Sequence, residues 1–215
     1  MNARARFRSA VRLLLVYLLY YSGLLHALKR RRLRGRAVVL MYHRVLTAAE
    51  RLQSFSSDGI QVSPDTFDRQ LGFLRRHFNV VEPREFARRL QFGLGFDDAT
   101  CLITFDDGWH DNLTNALPLL RKHALPAVIF LPTALIGSND CFWQERLARL
   151  LHRLSHVQRR DPSSVAALVQ RYDLKSVFQG SDVERKQRIH DFVRALKVLA
   201  DDEIQAMMRA IAAAV

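Results

Sequence analysis

Four short apolar runs, each separated from the next by a stretch with helical patterning, constrain this chain more than any other feature. They are Ala37-Val38-Val39-Leu40-Met41-Tyr42, Asn79-Val80-Val81, Thr100-Cys101-Leu102-Ile103-Thr104-Phe105 and Pro126-Ala127-Val128-Ile129-Phe130-Leu131. Runs this short, rich in β-branched residues, read as strands buried in a sheet. Between the first two, Ser63-Pro64-Asp65 is a helix start: a capping hydroxyl, a proline in the first turn, and an acid near the positive end. Phe67, Leu71, Leu74 and Phe78 then recur at helical spacing. Pro83 opens a second helix, roughly residues 84–92. Leu113 to His123 reads as a third, with Pro118 as a kink or a start. Residues 43–62 read as loop. Strand-helix alternation of this kind predicts a parallel sheet of βα units.

After Gly137 the pattern changes. Residues 142–157, 163–172, 182–199 and 201–213 all read as helices, with Ser163, Ser181 and Asp201 as expected caps. No strand-like run follows about residue 133. The expected organisation is therefore residues 1–36 as a basic, hydrophobic segment, 37–137 as the sheet-bearing part, and 138–215 as a helical region.

The net charge of +12 suggests nucleic acid until its distribution is read. Residues 1–36 hold ten arginines and lysines and no acid, which leaves only +2 for residues 37–215. A spread-out phosphate-binding face on the folded body is excluded on that ground, and no nucleic-acid partner is expected. Within the basic segment, Leu13 to Leu25 runs 13 residues without a charge. A membrane-spanning helix needs about 20, and no small-residue cleavage site follows. Tyr17, Tyr20 and Tyr21 with flanking arginines suit a headgroup region. The segment reads first as an interfacial or shallow membrane helix, second as a short signal-anchor, third as a helix packed on the domain. A membrane-associated protein, at a bacterial inner membrane, is the expectation. Cys101 and Cys141 are too few for a disulfide framework.

The chemistry-bearing residues are Asp106 and Asp107, which leave the third strand directly, followed by Gly108. In parallel βα architecture the carboxyl ends of strands form the active face. Adjacent residues leaving a strand diverge, so one carboxylate can face a substrate while the other turns to a cation. Such a pair can divide its labour, one binding metal and one taking a proton from water. Gly108 permits the sharp turn that follows. The bland alternative is a solvated corner in which Asp caps the next helix.

The neighbouring residues favour the chemical reading. Thr104-Phe105-Asp106-Asp107-Gly108 resembles the first motif of the polysaccharide deacetylases, the NodB-homology carbohydrate esterases. Met41-Tyr42-His43-Arg44-Val45 resembles their first strand, Ala127 to Thr133 the strand after the acidic motif, and Phe142-Trp143 the start of a helical insertion in one branch. The resemblance covers roughly residues 37–150. It implies a distorted (β/α) barrel that removes acetyl groups from N-acetylated sugars in polysaccharides or oligosaccharides. It implies Asp106 as general base and Asp107 as ligand of a divalent metal, usually zinc. His43 would lie near the barrel mouth, as a candidate site-lining residue or as an anchor of the first loop.

Two features depart from that pattern. The family's His-Ser/Thr-x-x-His motif, which brings two further metal ligands, is absent, as are the later arginine and histidine. His152 and His156 have helical spacing for zinc, but Arg153 stands where Ser or Thr should, and the pair reads as two surface histidines. Four strands are also fewer than the seven or eight of a closed barrel. The expected fold is thus a partial, distorted (β/α) barrel of about four parallel strands, with an N-terminal hydrophobic, basic helix and an all-helical C-terminal region. The simplest account is the N-terminal part of a longer deacetylase. The alternative is a non-catalytic membrane-associated protein that retains the scaffold.

Overall fold

The computed structural model describes residues 3–97 and 99–215. They divide into two compact units, Met1–Thr47 with Val62–Leu131, and Ala48–Gln61 with Pro132–Val215.

The first unit begins with helices α1 (Ala3–Tyr21) and α2 (Leu24–Leu33). A single N-terminal helix was the expectation. The chain instead breaks at Ser22-Gly23, where Gly23 takes φ 74°, a left-handed conformation that ends a regular helix. Strands β1 (Ala37–Tyr42) and β2 (Arg44–Val45) follow. After α3 (Ala48–Gln53) and β3 (Gln61–Val62) come α4 (Pro64–His77), β4 (Asn79–Val80), α5 (Pro83–Gln91) and β5 (Thr100–Phe105). A π-helical turn (Asn112–Ala116), α6 (Leu117–His123) and β6 (Val128–Ile129) complete the unit.

Strand β5 is the organising element. It pairs in parallel with β1 along its whole length, from Ala37↔Thr100 to Tyr42↔Phe105. Strand β4 pairs with its first two residues and β6 with its last two. All six β5 residues are buried, as expected of a parallel strand covered on both faces. The expected four parallel strands are present, and β6 is shorter than its apolar run. Strand β1 corrects one expectation. It is not buried throughout, because Val39 and Met41 are 53% and 61% exposed. Among the described residues β1 hydrogen-bonds within the sheet only to β5, so it is an edge strand, with Leu40 and Tyr42 on its packed face.

Helix α4 covers the sheet as its pattern predicts. Ser63 Oγ accepts the Thr66 N–H at 3.2 Å, which caps the helix. Phe67 and Leu71 are fully buried. Phe67 meets Tyr42 and Phe105 edge-on, with ring centroids 5.0 and 5.7 Å apart, a favoured aromatic arrangement. Burial also pushes the Tyr42 phenol up to about 12 and the Cys101 thiol up to about 11. The Tyr42 hydroxyl donates to Gln70 Oε1 at 3.1 Å. Pro118 lies in the first turn of α6, so it starts the helix rather than kinking it.

The second unit is helical, as expected. It contains α3, α7 (Trp143–Arg160), α8 (Ala166–Arg171), α9 (Asp182–Ala195) and α10 (Asp201–Ala212). Leu147, Leu151 and Leu154 of α7 share a core with Ile189 and Val193 of α9 and Ile204, Met208 and Ile211 of α10. Residues 43–62, read as loop, carry β2, α3 and β3; these elements are too short to show a period in sequence. The Ala48–Gln61 segment is tied to this unit by Ser56, whose buried hydroxyl donates to Glu145 of α7. Of the expected caps, Ser181 forms a full capping box with Glu184. Ser163 does not cap α8: it is held in a turn by Asp161, its hydroxyl 2.6 Å from Oδ1. Asp201 is the first helical residue of α10 rather than its cap.

Candidate active site

Asp106 and His43 are placed together by strand register. Each is the first residue beyond the Tyr42↔Phe105 pair, at the carboxyl end of one of two adjacent parallel strands. The Asp106 N–H donates to the Tyr42 carbonyl at 2.9 Å, which extends the ladder by one step and fixes the Asp106 backbone. The chain then turns through two consecutive left-handed residues, Asp107 at φ 74° and Gly108 at φ 60°. Aspartate is among the few residues with a side chain that enter this region at modest cost. Strain of this type concentrates at functional sites.

Asp107 is held in place from outside. Trp109 Nε1 donates to Asp107 Oδ2 at 3.2 Å. The Arg44 guanidinium lies 4.1 Å from the centroid of the same Trp109 ring, within cation–π range. Arg44 Nε and Nη2 both donate to Asp111 Oδ1, at 3.0 and 2.9 Å. The other Asp111 oxygen accepts the Val45 N–H at 2.7 Å. Asn112 Nδ2 donates to the His43 carbonyl and Asn115 Nδ2 to the Val45 carbonyl, both at 2.8 Å. The run from Asp107 to Asn115 is thereby fastened onto His43-Arg44-Val45. These polar anchors explain why a π-helical turn forms here, ahead of α6.

Sequence reasoning identified Asp106, Asp107 and His43 but missed Arg44, Trp109, Asp111, Asn112 and Asn115. A signal was present: four polar or aromatic residues crowd directly behind the acidic corner, and Arg44 stands beside His43 in the preceding strand motif. Only contact across 67 residues of chain gives them a role. His43 uses its carbonyl to anchor Asn112, so the loop-anchoring role is met by its backbone. His152 and His156 are adjacent on α7, ring centroids 4.7 Å apart, in the helical unit. Burial pushes both imidazoles below their ordinary range, with His156 the second cause for His152 and Arg159 the second for His156.

A groove of about 860 Å³ opens behind the turn, lined by Phe105, Trp109, Leu113, Leu117, Ile129 and Leu131 among others. It is mainly apolar, and neither Asp106 nor Asp107 lines it. Asn112 Oδ1, buried at its edge, has no hydrogen-bond partner among the described residues.

Gly108 packs against this groove. A Cβ added there would overlap Leu131 Cδ2, and φ +60° disfavours any L side chain. Leu131 is 55% exposed, so its side chain can swing away. Gly108→Ala is therefore expected to cost about 1–2 kcal/mol, mostly backbone strain. Chemical denaturation of G108A with and without Leu131→Ala checks this: full recovery in the double variant would show that overlap, not backbone, sets the cost.

Residues 95–175 match the family model described as Polysaccharide deacetylase. YxkH of Bacillus subtilis (strain 168), named for the same family, is 26% identical over 113 residues, covering 52% of this chain and 37% of its own. The structure of IcaB from Ammonifex degensii is similar at 30% identity and TM-score 0.41, covering 51% of this chain and 46% of that one. The Streptococcus pyogenes deacetylase PplD, solved in complex with acetate, is similar at 17% identity and TM-score 0.38, covering 73% and 79%. The chain thus spans less than half the length of YxkH and of IcaB. Residues 95–175, which contain the Asp106-Asp107-Gly108 turn, are thus similar to the polysaccharide deacetylase family.

Proposed function

We propose that the site serves metal-dependent removal of N-acetyl groups from amino-sugar polymers, with Asp106 as the general base. The observation that carries this reading is the position of Asp106 at the carboxyl end of a fully buried parallel strand, within the family-matched residues. A base must be held rigidly against the water it deprotonates. The Asp106 backbone is fixed by the Tyr42 carbonyl, so only its side-chain torsions remain free. His43, on the neighbouring strand end, would line the same mouth.

Asp107 would supply a carboxylate to the divalent metal, zinc by the family's habit. Zinc normally takes three or four protein ligands. Among the described residues no group of three or more histidine, cysteine, aspartate or glutamate side chains converges. The described donors therefore do not fit a complete metal shell. That same observation favours a second reading, a non-catalytic protein that retains the deacetylase scaffold.

Two measurements on the purified chain separate the readings: bound zinc by elemental analysis, and acetate released from N-acetylglucosamine oligomers. Stoichiometric zinc that is lost in Asp107→Ala, together with acetate release, supports the enzyme. Absence of both bound zinc and acetate release supports the scaffold reading.

A further inference from the structure

We propose that α1 and α2 form a jointed arm that binds the surface of a bilayer containing anionic phospholipid, α1 through its apolar surface and α2 through an arginine pocket. The two helices differ in kind. In α1, Leu14, Leu15, Leu18, Tyr17, Tyr20 and Tyr21 are each 55–75% exposed. The tyrosines cluster at its C-terminal end, ring centroids 5.6 Å apart for Tyr17–Tyr21 and 5.3 Å for Tyr20–Tyr21. Uncovered apolar surface on this scale marks an interaction site, and tyrosines are enriched at the water–lipid boundary.

No helix among the described residues is long and apolar enough to cross a membrane. An arm that lies in the interface fits better than one that spans it. In α2 and the residues just after it, Leu28, Arg31, Arg32, Arg34 and Arg36 line a pocket of about 540 Å³. None of the four arginines forms an ion pair with a described carboxylate. No acid occurs anywhere in residues 1–36. This surplus is complementary to lipid phosphates, and guanidinium groups match phosphate oxygens two at a time.

The joint between the helices is built in. Gly23 takes φ 74° with nothing within 4 Å of where a Cβ would lie. Its conformation, not crowding, therefore calls for glycine. The break lets the apolar helix and the arginine pocket meet the boundary at independent angles, which a single continuous helix could not do.

Flotation of the full chain with phosphatidylcholine vesicles, with and without phosphatidylglycerol, tests the proposal. Binding is expected to be about a hundredfold tighter with phosphatidylglycerol, to weaken with salt, and to lose that preference in the Arg31→Gln/Arg32→Gln/Arg34→Gln/Arg36→Gln variant. Leu15→Asp/Leu18→Asp is expected to abolish flotation on both vesicles. All six positions are exposed, and an unchanged unfolding midpoint of each variant shows that the folded body is intact. Equal binding of the wild-type chain to both vesicles, a phosphatidylglycerol preference retained in the arginine variant, or flotation retained in the leucine variant overturns the proposal. So does salt-sensitive binding to duplex DNA without flotation, or a dimer in solution that does not float.

Discussion

Replacing Asp111 by alanine is expected to lower the thermal unfolding midpoint by about 6–12 °C, the equivalent of about 3 kcal/mol. The Asp111 and Arg44 side chains are only 4% and 14% exposed. Removing the acid leaves a guanidinium with its charge largely desolvated, and orphans the buried Val45 N–H that Asp111 also accepts. Breaking one half of a buried pair costs more than the pair contributes, because the surviving charge has lost its water as well as its partner. Asp111→Asn keeps an acceptor for Val45 and is expected to cost less than the alanine variant. Exchange of both partners, Arg44→Met with Asp111→Leu, is expected to recover much of the loss. A midpoint within 2 °C of wild type for Asp111→Ala would mean that the pair is solvated and the anchoring account is wrong. The effect should also reach the site, since Arg44 packs on the Trp109 ring that holds Asp107.

Asp106→Asn is expected to reduce acetate release by about 10²–10⁴-fold while leaving the fold unchanged. The substitution is nearly isosteric, and the hydrogen bond to Tyr42 comes from the backbone N–H, which it retains. What it removes is the capacity to accept a proton at neutral pH. The loss should therefore fall on kcat, with KM close to wild type. Acetate release by Asp106→Asn equal to wild type would remove Asp106 from the chemistry. Under the proposed deacetylase function, the paired variant Asp107→Ala should lose bound zinc as well as activity, so the two carboxylates would be distinguishable by metal content. Trp109→Phe, which deletes the donor to Asp107 but keeps a ring beside Arg44, should resemble a weakened Asp107 variant rather than an Asp106 variant.

The local layout of the first unit was readable because its determinants are local. Ser63-Pro64-Asp65 carries its own helix start, and Phe67, Leu71 and Leu74 declare one face by spacing alone. Strand β5 is apolar at four of its six positions and carries no charge, and burial on both faces is the environment that tolerates such a run. The Asp106-Asp107-Gly108 corner was legible for the same reason: a strand that ends in two acids and a glycine must turn there. Residues 43–62 were not legible, since two-residue strands and a six-residue helix are too short to leave a period. The caps of α8 and α10 were misplaced because Ser163 is claimed by Asp161 and Asp201 has already entered its helix.

By itself, the sequence determined the types of the longer elements, the acidic corner and the concentration of net positive charge in the first 36 residues. These follow from spacing, propensity and composition, which neighbours along the chain settle among themselves. Tertiary structure alone decided the edge position of β1 and the lattice by which Asp111, Asn112 and Asn115 fasten onto His43-Arg44-Val45 behind Asp107. Those depend on pairs separated by more than 60 residues, and a buried ion pair or an amide-to-carbonyl hydrogen bond leaves no periodic trace. It exists only once β1 and β5 lie side by side and bring their carboxyl ends into register.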